Sequence, residues 1–147
     1  VLAATLSRGE RAFQTTLPFL SALPLGQPEA PARSMGSALD YFKAQFGSHP
    51  NWVQQLHRFS PESLHSYAVL RDRILTDGAA SRKVKEMLTM LLNAMAGDSK
   101  GIQSHAAGAL KWGAVKEELL SVFLLGVRVG GIVVWINGIN AVAAMEA

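Results

Sequence analysis

Asn93-Ala94-Met95-Ala96-Gly97-Asp98-Ser99-Lys100-Gly101-Ile102-Gln103-Ser104-His105 joins two stretches of helical periodicity and decides the fold. Upstream, Ser81 opens a helix in which Val84, Met87, Leu88, Leu91, Leu92 and Met95 recur at three- and four-residue steps. That stripe is expected to face the core. Downstream, a helix is expected from about Ser99 to Trp112, with Ile102, Ala106, Ala109 and Leu110 inward and Gly113 as its stop. Gly97-Asp98 leaves room only for a tight connection, so the two helices form a hairpin.

The same periodicity continues outward. Met35, Leu39, Phe42 and Phe46 fall on one helical face that Gly47 ends. Trp52, Val53, Leu56 and Phe59 form a short second helix. Ser60-Pro61-Glu62 is a start signal: a cap residue, proline at the first helical position and an acid in the first turn. The helix it opens places Leu64, Tyr67, Ala68, Arg71, Ile74 and Leu75 at three- and four-residue steps, and Asp77-Gly78 stops it. Lys116-Glu117-Glu118 begins another helix, Leu119 to Val129, with acids where the helix dipole favours them. A last helix follows Gly131 and carries one charge, Glu146; a helix so apolar is expected to be buried on nearly all sides.

No segment alternates with period two for long, and Ile132-Val133-Val134 is too short to outweigh its helical flanks. The chain reads as all-α. Pro18, Pro24, Pro28 and Pro31 mark residues 1–33 as an irregular arm, with a short helix near Leu6–Phe13. Such an arm either wraps a neighbouring subunit or trails free. Residues 34–147 form a single all-α domain.

Composition narrows the function. At 147 residues there is enough chain for one domain with a real core. Apolar residues are 49% of it, high for so small a domain, which suggests burial against other copies of itself. The net charge of +3 is mild and the basic residues form no run, so nucleic acid is not an expected partner. There is no cysteine, which rules out disulfides, thiolate metal sites and thiol catalysis within this chain and fits a reducing, cytoplasmic setting. Leu17 to Pro24 is too short and too proline-broken for a signal peptide. Leu119 to Ile136 is apolar, but Arg128 and three glycines interrupt it, so two buried helices meeting at Gly130-Gly131 are expected and no membrane partner.

One pair of residues stands out for chemistry. Glu86 lies about eleven residues before Gly97 and His105 about eight after it, roughly 16 and 12 Å from the turn at about 1.5 Å per residue. Their heights agree within a helical turn, so the side chains meet if they face each other. A carboxylate beside an imidazole fixes its tautomer and raises its basicity, which suits proton transfer near neutral pH. Equally, Glu and His on helices commonly make structural hydrogen bonds only.

Several segments, taken together, resemble one family. They are Leu75-Thr76-Asp77-Gly78-Ala79-Ala80-Ser81-Arg82-Lys83-Val84-Lys85-Glu86, Asn93, His105-Ala106-Ala107-Gly108-Ala109-Leu110-Lys111-Trp112-Gly113-Ala114, Glu117-Glu118-Leu119 and Gly130-Gly131. In order and spacing they are similar to the carboxymuconolactone decarboxylase and alkylhydroperoxidase (AhpD-like) family, over about residues 60–145. The resemblance implies a bundle of helical hairpins assembled as a homo-oligomer, trimer or hexamer. The peroxidase branch uses Cys-x-x-Cys-x-x-x-His with a glutamate upstream. Glu86 and His105 occupy the acid and histidine positions, and Asp98 and Gly101 stand where the cysteines would be. Peroxide reduction by a dithiol is therefore not expected.

The decarboxylase branch lacks the cysteine pair and keeps the histidine. The resemblance thus leans toward a cofactor-independent lyase acting on a small carboxylated lactone or keto acid, with His105 and Glu86 as the acid–base pair. A noncatalytic small-molecule-binding or scaffold protein of the same fold is the alternative, and an isomerase or hydratase on this scaffold is not separable from the lyase. Arg128 reads either as a clamp for the substrate carboxylate or as a structural charge, paired with Glu86 or Glu118 or facing solvent or a subunit boundary. Asp98 reads as a substrate contact or as a helix cap, and Asn137 and Asn140 as ligand donors or satisfied core amides. Trp112 and Trp135 read as core or interface rings. His49, His57 and His65 lack partner spacing; His65 is the best placed, since Tyr67 and Arg71 share its helix. No metal site and no cofactor are expected.

Overall fold

A computed structural model of the chain describes residues 35–145. The arm expected over residues 1–33, with its helix near Leu6–Phe13, lies outside them, as does Glu146. Among the described residues every regular element is a helix: α1 Ala38–Phe46, α2 Asn51–Phe59, α3 Pro61–Leu75, α4 Arg82–Ala96, α5 Ser99–Lys111, α6 Lys116–Gly130 and α7 Ile132–Ala143.

The start signals act as expected. The Ser60 and Ser81 hydroxyls accept from the backbone N–H groups of Ser63 and Val84 at 3.4 and 3.3 Å. Asp98 caps α5 through Gly101 N–H at 3.0 Å. Gly97 ends α4 at φ 75°, a conformation that lets the chain reverse before Asp98 and that a side chain would strain. The α4–α5 hairpin then packs against the α6–α7 hairpin around Met90, Ile102, Leu119, Phe123 and Val134. Ala94, Ala106 and Ala109 are fully buried in the same core, and their small side chains let the helices close up. A second core gathers α1, α2 and α3 around Phe42, Val53, Leu64 and Ala68. Phe42 is its hub, with the Tyr41, Phe46, Trp52 and Tyr67 rings 5.0 to 6.1 Å away.

Two expectations about burial are corrected. The buried stripe of α4 is Arg82, Glu86, Met90 and Ala94; of the six apolar residues expected there, only Met87 and Leu91 pack against the core, partly buried. Val84, Leu88, Leu92 and Met95 are exposed, Leu92 by 64%. Likewise α7 is not buried all round. It buries Val134, Gly138 and Ala141 and exposes Ile132, Val133 and Ile136. The two charged members of the α4 stripe pair with each other at 2.9 Å, so neither charge is left unpartnered inside. At one point exposed apolar faces meet: Met95 of α4 adjoins Gly130 at the end of α6, next in sequence to exposed Val129. Tyr67 and Ile74 of α3 are also about half exposed. No helix among the described residues is long and apolar enough to cross a membrane.

Candidate active site

Arg82 and Glu86 lie one turn apart on the face of α4 that meets α5. Glu86 is only 2% exposed. Its Oε1 accepts from Arg82 Nε at 2.9 Å and its Oε2 pairs with His105 Nδ1 at 2.7 Å. Arg82 is held in turn by Gln45 of α1, whose Oε1 accepts from Nη2 at 3.1 Å, and by the Trp112 ring, 5.3 Å from its guanidinium carbon. Burial works to raise the Glu86 carboxyl above its ordinary 4.5. The hydrogen bonds from His105 and Arg82, with their charges, outweigh burial and leave it lowered. Glu86 is therefore an ionised acceptor, so His105 Nδ1 carries the hydrogen between them. Nε2 is the ring nitrogen left for chemistry.

The carboxylate needs the gap that Gly108 leaves. Gly108 lies one turn after His105 on α5, and a Cβ built there falls 2.8 Å from the Glu86 carboxyl carbon. Alanine in mid-helix ordinarily gains about 1 kcal/mol over glycine. Here the carboxylate is pinned from two sides by Arg82 and His105, and giving way would break those bonds, so the overpacking cost of about 1–3 kcal/mol prevails. Gly108→Ala is expected to lower the urea midpoint of unfolding. A raised midpoint would show that the carboxylate gives way freely.

His105 lines a cavity of about 850 Å³ between the hairpin and α1 to α3. Phe46, Trp52 and Tyr67 form an aromatic wall. Asn93, Asp98 and Ser104 lie on the polar side with His105, and Arg71 and Lys100 supply positive charge. A smaller pocket of about 130 Å³ continues past Arg71 to Glu86 and Trp112. Arg71 of α3 donates from Nη1 to Tyr41 Oη at 3.1 Å and sits over the Phe46 ring at 5.4 Å. Burial pushes the Tyr41 hydroxyl up, against the opposing pull of Arg71, so it stays protonated at neutral pH. The set offers a proton carrier, cations for an anionic ligand and flat rings for an apolar one.

Glu86 and His105 thus come together as their heights in the hairpin require. Asp98 lines the cavity while capping α5, so it serves the structure whether or not it touches a ligand. The remaining candidates lie elsewhere. Asn137 donates to the Ala94 carbonyl at 3.0 Å near the end of α4 and lines neither cavity. Arg128 is exposed on α6 and lines neither cavity. It pairs with neither acid considered for it, since Glu86 belongs to Arg82 and His105, and Glu118 to Lys83 at 2.8 Å. Asn140, His57 and His65 are exposed, and His49 Nε2 meets the Leu39 carbonyl at 3.1 Å.

Two arginines at this site were not singled out from sequence. Arg82 could have been found by its place one turn before Glu86. Arg71 could have been found by its inward register beside Leu64, Ala68 and Leu75. Asp98 and Gly101 are the residues matched by spacing to the cysteines of the peroxidase motif. A Cβ added at Gly101 would run into the Asn93 amide, and would lie 2.6 Å from Asp98 Oδ2.

The sequence model described as the carboxymuconolactone decarboxylase family matches residues 61–144, more than half of the chain. No curated protein matches significantly. Two crystal structures are similar in fold. One is a candidate carboxymuconolactone decarboxylase from Burkholderia xenovorans LB400, with TM-score 0.64 and 23% identity, covering 74% of this chain and 88% of that one. The other is the apo form of a carboxymuconolactone decarboxylase family protein from Legionella pneumophila, with TM-score 0.60 and 22% identity, covering 76% of this chain and 96% of that one.

Proposed function

This chain belongs to the carboxymuconolactone decarboxylase family, and from that premise we propose that it is a cofactor-independent lyase that removes CO₂ from a small carboxylated lactone or keto acid. One observation carries the reading: a histidine on the cavity wall bonded at 2.7 Å to a buried carboxylate. In the proposed reaction the bond to the substrate carboxylate breaks and CO₂ leaves. The electron pair passes into the conjugated carbonyl system as an enolate. Protonated His105 then delivers the Nε2 proton to carbon, while ionised Glu86 balances the imidazolium until that moment. Each turnover consumes one proton, which solvent restores to His105.

Incubating the protein with a panel of carboxylated lactones and β-keto acids, with no cofactor added, tests this directly. CO₂ release above the uncatalysed rate is expected for at least one member. If nothing in the panel turns over while members still bind, the noncatalytic binding role takes its place.

We also propose that the chain self-associates through the apolar face of α4, α6 and α7. The support is its apolarity: Leu88, Leu92, Leu124, Leu125, Val129, Ile132 and Val133 are each more than half exposed. A monomer rarely leaves so large a patch to water. Light scattering coupled to gel filtration should give a trimer or hexamer. Leu92→Asp should shift it to smaller species, and an unshifted profile would place the contact elsewhere.

A further inference from the structure

Arg71 is a cation without an acid. Lys83 has Glu118 and Arg82 has Glu86, but no carboxylate lies within ion-pair distance of Arg71 among the described residues. It is held instead by two uncharged groups, the Tyr41 hydroxyl and the face of Phe46. Both fix the guanidinium without neutralising it, and a planar fork held in this way is prearranged for an oxyanion. It borders the cavity that His105 lines and also the pocket that runs to Glu86. Trp52 and Tyr67, 42% and 45% exposed, bring their rings to the same cavity at 5.9 Å centroid separation.

We propose that Arg71 is the ligand-binding and specificity-determining cation of this site, gripping an anionic group of the substrate while Trp52 and Tyr67 cover the flat skeleton attached to it. The inference rests on the lyase reading for its chemistry. A cation set against the carboxylate that leaves would stabilise the ground state and slow the reaction. Arg71 therefore holds the part of the substrate that keeps or gains negative charge, a retained acid group or the enolate oxygen. Ligands without a planar, apolar portion leave the rings uncovered and bind weakly.

Cinnamate, a flat carboxylate, is the probe, with cinnamamide as its neutral counterpart and 3-cyclohexylpropanoate as its saturated one. Isothermal titration on the full chain should show cinnamate binding at least about tenfold tighter than either, a difference of about 1.4 kcal/mol. Arg71→Gln should weaken cinnamate by a similar factor and leave cinnamamide unaffected. Arg71→Lys, which keeps the charge and loses the fork, should fall between. Equal affinity for acid and amide, unchanged cinnamate affinity in Arg71→Gln, or no binding of cinnamate at millimolar concentration each overturns the assignment. The acid–amide comparison needs no variant and so survives a folding defect in Arg71→Gln. CO₂ release with an unchanged KM in Arg71→Gln would sink this inference and spare the lyase. Cinnamate binding through Arg71 without any turnover would do the reverse.

Discussion

His105→Asn is expected to lower kcat by about 10²–10⁴-fold, the usual worth of a positioned general acid. Asparagine is chosen because its amide N–H can take the place of the Nδ1–H that meets Glu86. The buried carboxylate then keeps its second donor, so the penalty of about 1–3 kcal/mol for an unsatisfied buried group is avoided. What disappears is Nε2, the ring nitrogen that Glu86 does not engage and the proton carrier in the proposed reaction. Circular dichroism and light scattering should match the parent while CO₂ release collapses. A variant that folds, assembles and turns over like the parent would remove His105 from the chemistry.

Glu86→Ala is expected to be strongly destabilising. Arg82 is 5% exposed, and with Glu86 removed its charge would rest on Gln45 and the Trp112 ring alone. Breaking a buried pair from one side costs about 3–5 kcal/mol. Domains of this kind have only about 5–15 kcal/mol in all. Urea unfolding should therefore show a large drop in midpoint, or no cooperative transition. The same carboxylate sets an acid limb. Its pKa in the folded chain lies below its ordinary 4.5, so its contribution is present above that value and is lost as pH falls through the lowered one. Glu86→Gln should flatten the fall in stability below about pH 4.5 that the parent shows. An unaltered acid limb in that variant would assign it to other carboxylates.

The hairpin and its pair of polar residues were legible because they depend on local rules. A glycine and an aspartate set the turn, and rise per residue sets the heights. Burial was less legible, because which stripe goes inward depends on what faces it. On α4 the hydrophobic positions 84, 87, 88, 91, 92 and 95 gave the stronger periodic signal; Met87 and Leu91 do pack against the core, yet the fully inward stripe holds Arg82 and Glu86. Sequence periodicity shows that a face is apolar, not whether the same chain covers it. Arg128 was open for the same reason, readable as a carboxylate clamp, a paired structural charge or a solvent-facing one, and it is exposed. A charge inside an apolar helix looks buried only if the helix is buried, and that side of α6 is exposed. Arg71 has the opposite history, a charge on an inward register whose meaning rests on Tyr41 and Phe46, distant in sequence.

The crowding at Gly101 bears on any attempt to engineer a redox centre here. Cysteines placed at 98 and 101 would restore the spacing of a dithiol peroxidase, and replacing Asp98 would clear one obstacle. The other is Asn93, whose amide is tied to the Thr89 carbonyl at 2.9 Å and stands where the second thiol's Cβ must go. Such a graft therefore requires the Asn93 side chain to move off the Thr89 carbonyl or to be trimmed.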